Sequence, residues 1–282
     1  MTYFGFLGWF LALPIVALAA VALWDQRRGR AIPPALSATP LWLAIALHVL
    51  IALVYTTPWD NYLVATSVWW YNPALVTGIT LGWVPIEEYT FFVVQPILAG
   101  LWLGFLARRL KISEEPLRPG LRLWSAAALG ALWLVMLALL LAGGPAWNYM
   151  GLILVWALPP VALQLFFGAD ILWRHRRLLL LSIGVMTLYL ALADSLAIGG
   201  WGIWTIDPAQ SLHLLLGGVL PLEEFVFFLM TNVLLTFGVV LLVARASHER
   251  FAALRQWLQR LTQREESNAR YALEAKTQEE EI

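Results

Sequence analysis

The chain has 282 residues, of which 61% are hydrophobic and 13% charged, whereas a soluble domain is about half apolar and a quarter charged. An ordinary soluble fold is therefore excluded, and with no cysteine so are disulfides, thiolate metal sites and cysteine nucleophiles. The 18 basic and 18 acidic residues cancel, but they are placed unevenly.

A membrane-crossing helix needs about 20 predominantly apolar residues. In chain order, such runs fall at 3–24, 40–56, 85–107, 121–141, 149–168, 178–198 and 221–243. The first has no basic residue before it and no small-residue cleavage site, so it reads as a span rather than a cleaved leader. Arg27, Arg28 and Arg30 follow the first run, and Arg108, Arg109, Lys111, Arg118 and Arg122 separate the third and fourth. Arg174, Arg176 and Arg177 follow the fifth, and the remaining seven, from Arg245 to Lys276, follow the last. With seven spans every basic residue lies on one side. That predicts a multi-pass protein of the cell membrane with its N-terminus outside and its C-terminus in the cytoplasm. After Val243, Phe251, Leu254, Leu258 and Leu261 recur at helical spacing, which predicts an amphipathic surface helix ending in a disordered acidic stub.

The chain repeats itself. Leu13-Pro14 and Asp25 match Leu158-Pro159 and Asp170; Asp60 matches Asp194; Asn72-Pro73 matches Asp207-Pro208. Pro85-Ile86-Glu87-Glu88-Tyr89-Thr90-Phe91-Phe92 matches Pro221-Leu222-Glu223-Glu224-Phe225-Val226-Phe227-Phe228. The expected fold is an all-α polytopic membrane protein with a parallel duplication of a three-helix unit. Residues 1–112 and 146–244 are the two copies, 113–145 the connecting helix and 245–282 the tail. The copies are expected to be related by a pseudo-two-fold axis along the membrane normal.

Asp60, Glu87, Glu88, Asp194, Asp207, Glu223 and Glu224 lie outside the basic stretches, with no Lys or Arg on their side. An unpaired carboxylate in hydrocarbon costs several kcal/mol, so such a group is held protonated or faces a polar cavity. A protonated carboxyl is a ready Brønsted acid. Each proline sets its Glu-Glu pair in the first turn of a helix. Neighbouring residues diverge by about 100°, so one glutamate of each pair faces the bundle centre. Apolar runs such as Ala74 to Val84 precede the prolines, and these are expected to fold back over the glutamates. Asp207 reads as a turn residue before Pro208. His48 and His213 lack neighbours at metal-ligand spacing, so no metal site is expected.

Aromatics accompany the acids: Trp59, Trp69, Trp70, Tyr71, Trp83, Tyr89, Phe91 and Phe92, then Trp201, Trp204, Phe225, Phe227 and Phe228. Most tryptophans suit an interfacial belt. The remainder suit a π-lined cavity that stabilises a carbocation, with Trp83, Tyr89, Phe92, Phe225 and Phe228 as the expected lining.

The duplicated Pro-x-Glu-Glu segments, with Asp60 and Asp194 upstream, resemble the integral-membrane lycopene cyclases over roughly residues 3–243. The resemblance implies conversion of lycopene ψ-ends to β-rings, with Glu87, Glu88, Glu223 and Glu224 as acid or base and Asp60 or Asp194 as alternative proton acceptors. It implies an isomerase without net redox change. Nothing in the chain demands reduced flavin or nicotinamide, and no Gly-rich dinucleotide fingerprint is present. Expected partners are the carotenoid substrate, membrane lipid and other carotenoid enzymes, not nucleic acid. Three rivals remain beside this reading: a carotenoid end-group hydratase, a non-enzymatic scaffold and a transporter. A retinal-binding protein is excluded, because Lys111 and Lys276 both lie outside the spans. A prenyltransferase is disfavoured by the isolated aspartates.

Overall fold

The computed structural model describes residues 1–111, 115–257, 259–260 and 262–263. Seven helices among them are long and apolar enough to cross a membrane. They are α1 (Tyr3–Arg27), α2 (Leu41–Ala65), α3 (Ile86–Ala107), α4 (Gly120–Ala142), α5 (Asn148–Arg174), α6 (Arg176–Trp201) and α7 (Leu222–Val243). Helix α2 is longer than its apolar run suggests, because it continues through Pro58 to Ala65. Asp60 therefore sits within the helix rather than in a loop. Residues 245–257 are again helical; Phe251 and Leu254 are exposed there. Leu258, Leu261 and the acidic stub lie outside the described residues.

The duplication is parallel. Helices α1 to α3 correspond to α5 to α7, and α4, which has no buried residue, packs against α5 and carries the chain back across. Two short strands at one end of the bundle, β1 (Trp69–Tyr71) and β4 (Trp204–Ile206), join the copies as an antiparallel pair centred on Trp70↔Thr205. Around that centre the hydrogen bonds are reciprocal. Asn72 N donates to Ile203 O and Asp207 N to Val68 O, both at 2.8 Å. Since Asn72 corresponds to Asp207 and Val68 to Ile203, a two-fold axis passes between Trp70 and Thr205. Ser67 and Gly202, also equivalent, both hold a left-handed φ, +59° and +60°.

Apart from a link between the first and second helices that is eleven residues longer in the first copy and holds the short turn Pro34–Leu36, three single-residue length differences separate the copies, and each has a local structural cause. Tyr3 to Pro14 is one residue longer than Tyr149 to Pro159, and α1 contains a π-helical turn at Gly8–Ala12. The extra residue is thereby absorbed without rotating the flanking faces. Asp194 to Trp204 is one residue longer than Asp60 to Trp69, and α6 ends in a second π-helical segment, Leu196–Trp201. The third difference lies in the hairpins. The apolar runs before Pro85 and Pro221 fold back as β2 (Thr80–Leu81) with β3 (Val84–Pro85), and β5 (Leu215–Leu216) with β6 (Leu220–Pro221). The first hairpin turns through Gly82 and Trp83, the second through Gly217, Gly218 and Val219. Glycine is required at these turns, where Gly82, Gly217 and Gly218 have φ of +70°, +59° and +74°.

The basic end is held by buried aspartates. Asp25 on α1 pairs with Arg109 at 2.7 Å and Arg108 at 3.2 Å, tying α1 to the end of α3. Its repeat-mate Asp170 pairs with Arg250 at 2.6 Å, tying α5 to the helical segment 245–257.

Candidate active site

The glutamate pairs occupy the first turns of α3 and α7, and within each pair the two members do different things. Glu87 Oε1 accepts the backbone N–H of Thr77, and Glu223 Oε1 that of Leu212, both at 2.6 Å. These equivalent bonds pin the two hairpins against the helix starts. Glu87 and Glu223 are buried, and their second oxygens have no partner among the described residues. One helical position on, Glu88 and Glu224 point inward, as the roughly 100° step requires.

Glu88 and Glu224 meet at one internal cavity of about 50 Å³ on the axis between the copies. Phenols hold both carboxyls. Tyr3 Oη donates to Glu88 Oε2 at 2.6 Å and Tyr71 Oη to the same oxygen at 3.0 Å. Tyr149, the repeat-mate of Tyr3, donates to Glu224 Oε1 at 2.5 Å. Burial, with Asp60 and Glu88 beside it, pushes the Tyr71 phenol well above its ordinary range, so it stays a neutral donor. Asp194 also lines the cavity and accepts Trp204 Nε1 at 2.9 Å. Asp60 is buried within electrostatic reach of Glu88 and Glu224. One oxygen of Asp60 and one of Asp194 lack a partner among the described residues.

The remaining walls are apolar and mostly aromatic, including Phe6, Phe91, Trp204, Phe227 and Phe228. Ring faces crowd the acids: Tyr3 and Trp204 lie 4.9 Å apart, and Trp69 and Tyr149 5.4 Å. Such walls present π density to a developing cation while supplying no competing nucleophile. Of the expected lining, Phe228 is in place and Phe92 lines an adjoining cavity. The other three do not line it. Trp83 is exposed at the hairpin turn. Tyr89 hydrogen-bonds Leu81 O and Asn61, so it braces the hairpin, and Phe225 faces elsewhere. All three sit one helical or strand step away from the inward face. Spacing from Glu88 and Glu224 alone points to the phenylalanines three and four residues on. Tyr3 and Tyr149 were missed as a matched pair because the π turn shifts their register against Pro14 and Pro159. His48 lies at an adjoining cavity, and His213 in the second hairpin's approach. Among the described residues no group of three or more His, Asp and Glu is placed to hold a metal ion.

Fold and site together define a polytopic membrane protein that encloses an acid–base cavity between two copies of one three-helix unit. The lycopene cyclase family model matches residues 9–106 and again 146–243, and the chain belongs to that family. A lycopene beta-cyclase of Halobacterium salinarum is 39% identical over 248 residues, 85% of this chain and 95% of the relative. The bifunctional lycopene cyclase/phytoene synthase of Podospora anserina is 36% identical over 207 residues, 70% of this chain and 34% of the fungal protein. That of Aspergillus oryzae is 34% identical over 204 residues, with similar coverage of 71% and 34%. No solved structure matches the chain.

Proposed function

We propose that this protein converts the acyclic ψ-ends of lycopene into β-rings, as an isomerase that consumes no electrons and needs no redox cofactor. The observation that carries this reading is the meeting of Glu88 and Glu224, one from each copy, at a single aromatic-walled cavity without a basic residue. Relatives named for the same reaction support it.

Glu224 acts as the acid. It receives one phenol, Tyr149, at Oε1. Its carboxyl proton passes to C2 of the terminal double bond, leaving a cation at C1. The C5=C6 π pair attacks C1, closes a six-membered ring and moves the cation to C5. Glu88 then takes the C6 proton, and the electrons of that C–H bond form the ring double bond. Two phenol donors favour the charged form of Glu88, which suits the proton acceptor. One proton enters and one leaves, so Glu88 returns its proton to Glu224 between turnovers; Asp60 lies within electrostatic reach of both. Tyr3, Tyr71 and Tyr149 orient the carboxyls.

The protein resides in the cell membrane with its N-terminus outside. Among the described residues every Lys and Arg lies at the bundle end opposite the glutamates, which fits the positive-inside rule. Residues 1–112 and 146–244 act as the two repeats of one site. Expression in lycopene-accumulating cells, followed by pigment chromatography, tests the reaction. One-ring and two-ring carotenes are expected; unchanged lycopene, or hydroxylated end groups, overturns the reading.

A further inference from the structure

The acid cavity does not end at its aromatic wall. Phe91 and Phe227 are shared with a second cavity of about 210 Å³ between α2, α3, α5 and α7, whose described lining carries no charged side chain. His48, Ile51 and Gln164 are shared in turn with a third, a more open groove of about 880 Å³, which reaches Ser247, Phe251 and Arg255 at the basic end. Measured along α7 from Glu224 to Leu242, which lines the third cavity, the path is ~27 Å at ~1.5 Å per residue. That nearly equals the ~30 Å hydrocarbon core of a bilayer. The occupant that fits is long, thin and apolar. A linear polyene has that shape, and the path joins the cavity where its end group would react.

Its narrow point is His48, Gln164 and Gly238. A Cβ on Gly238 would collide with His48 Nε2 and stand 3.1 Å from Gln164 Nε2. Neither partner is free to swing aside: His48 Nδ1 is bonded to Ala44 O at 2.8 Å, and Gln164 Nε2 donates to Leu234 O at 2.9 Å. The duplication isolates what is special here. Tyr55 Oη donates to Trp156 O, and its repeat-mate Tyr189 to Phe10 O, both at 2.8 Å, so the two interfaces between the copies are bridged alike. Below those bridges they differ. The repeat-mates of His48, Gln164 and Gly238 are Ser182, Ala19 and Trp102, and Trp102 stacks its indole on Phe105 at 5.2 Å. Where one interface has a hydrogen atom, the other has an indole.

We propose that the α2–α5 groove holds the polyene tail of the substrate while its end group sits between Glu88 and Glu224, and that Gly238 lets His48 and Gln164 pack back against α7, where any side chain would push them into the path. The inference rests on the proposed cyclase reading for its substrate, and adds that the duplicated scaffold has one tail seat and not two. The test uses the purified full chain in detergent with added lipid. Lycopene co-eluting with the protein is measured in the Glu224→Gln background, and ring formation in the otherwise native chain. Gly238→Ala, Gly238→Leu and Gly238→Phe are compared at equal yield and equal melting temperature. Bound lycopene and turnover should both fall in order of side-chain size, by about tenfold or more for Phe, which is ~1.4 kcal/mol or more of lost binding. Ile51→Trp, at a half-exposed position lining the same path, should act likewise and stands in if a Gly238 variant does not fold. Binding and turnover indifferent to side-chain size would overturn the groove while leaving the cyclase reading intact. Binding that depends on Gly238 without ring formation would leave the groove and remove the cyclase reading. A chain that retains no lycopene at all would refute the groove.

Discussion

The two copies of the three-helix unit share a backbone and divide a chemistry. Both start with a tyrosine that reaches a glutamate on the last helix of its own unit. Both pin a hairpin with the glutamate before it. The differences are few and fall at the site. Tyr71 gives Glu88 a second donor, whereas its repeat-mate Ile206 gives Glu224 none. Trp204 bonds Asp194, whereas its mate Trp69 bonds Tyr71 and leaves Asp60 without an indole partner. Gly238, against which His48 and Gln164 pack, stands where the other copy has Trp102. A two-fold scaffold brings two identical carboxyls to one place, and in the proposed mechanism it is the side chains that break the symmetry that make one a donor and the other an acceptor.

The hardest blow to that division is to remove either proton carrier. Glu88→Gln and Glu224→Gln keep size and hydrogen bonding but lose the transferable proton. Each should slow ring formation by about 10²–10⁴-fold with normal protein in the membrane. Pigment analysis should show lycopene alone in both. If either single variant still makes one-ring product at near-native rate, the copies work as separate sites, and the shared cavity is not where the reaction occurs.

Next in size come the phenols. Tyr149→Phe strips Glu224 of its one donor among the described residues, and Tyr71→Phe takes one of two from Glu88. A hydrogen bond to a charged group contributes ~1.5–3 kcal/mol, so Tyr71→Phe should cost about ten- to a hundredfold in turnover. Adding Ile206→Tyr to the native chain would make the copies alike. If the asymmetry assigns the roles, that change should slow the reaction rather than help it. An unchanged or faster rate of lycopene conversion in Ile206→Tyr would show that the roles are set elsewhere.

Sequence pattern sufficed for the seven spans, the parallel duplication and the acids, because hydropathy, basic-residue placement and a repeated Pro-x-Glu-Glu string are all local signals. It also predicted one inward glutamate per pair, since helix geometry compels it, but not which. The choice depends on where the hairpins fold back, and their N–H groups from Thr77 and Leu212 capture Glu87 and Glu223. The lining was the least legible part. Tyr3, Phe6 and Tyr149 come from the starts of distant helices, and only tertiary packing brings them to the acids. Trp83 stands close in sequence to Glu87 yet faces outward, because a two-residue turn puts it at the hairpin tip.

Glu87 and Glu223 sharpen the comparison from the other side, since in them the copies are the same. Glu87→Leu and Glu223→Leu each leave a backbone N–H of the hairpin without its partner, costing ~1–3 kcal/mol. Both variants should lower the thermal unfolding midpoint by similar amounts. Turnover should fall less than in the Glu88 and Glu224 variants, measured on protein that remains folded. A loss of turnover as deep as that of Glu88→Gln, at unchanged melting temperature, would put these buried carboxyls in the proton path instead.

The smallest effect is expected where the copies differ in length and yet superpose. In α1 the π turn at Gly8–Ala12 takes up one residue that α5 does not have. Tyr3 lies before it and Phe10 within it, and both keep the register of Tyr149 and Trp156. Pro14 and Asp25 lie beyond it and keep that of Pro159 and Asp170. Gly8 meets nothing within 4 Å of where a Cβ would stand, so the turn is not held by close packing there. Deleting Ala12, an exposed residue between Phe10 and Pro14, should let α1 become regular helix, with Tyr3 still reaching Glu88 and Asp25 still reaching Arg109. The cost should be about 1 kcal/mol or less, since a π turn is itself the less favourable conformation, and ring formation should stay within about threefold of native. The matching deletion at Ile153, in the regular helix α5, has no such slack. It would rotate Tyr149 by about 100° away from Glu224 and should abolish activity. If the two deletions prove equally damaging, the π turn is not what reconciles the two copies, and Gly8–Ala12 must be held in that form by contacts of its own.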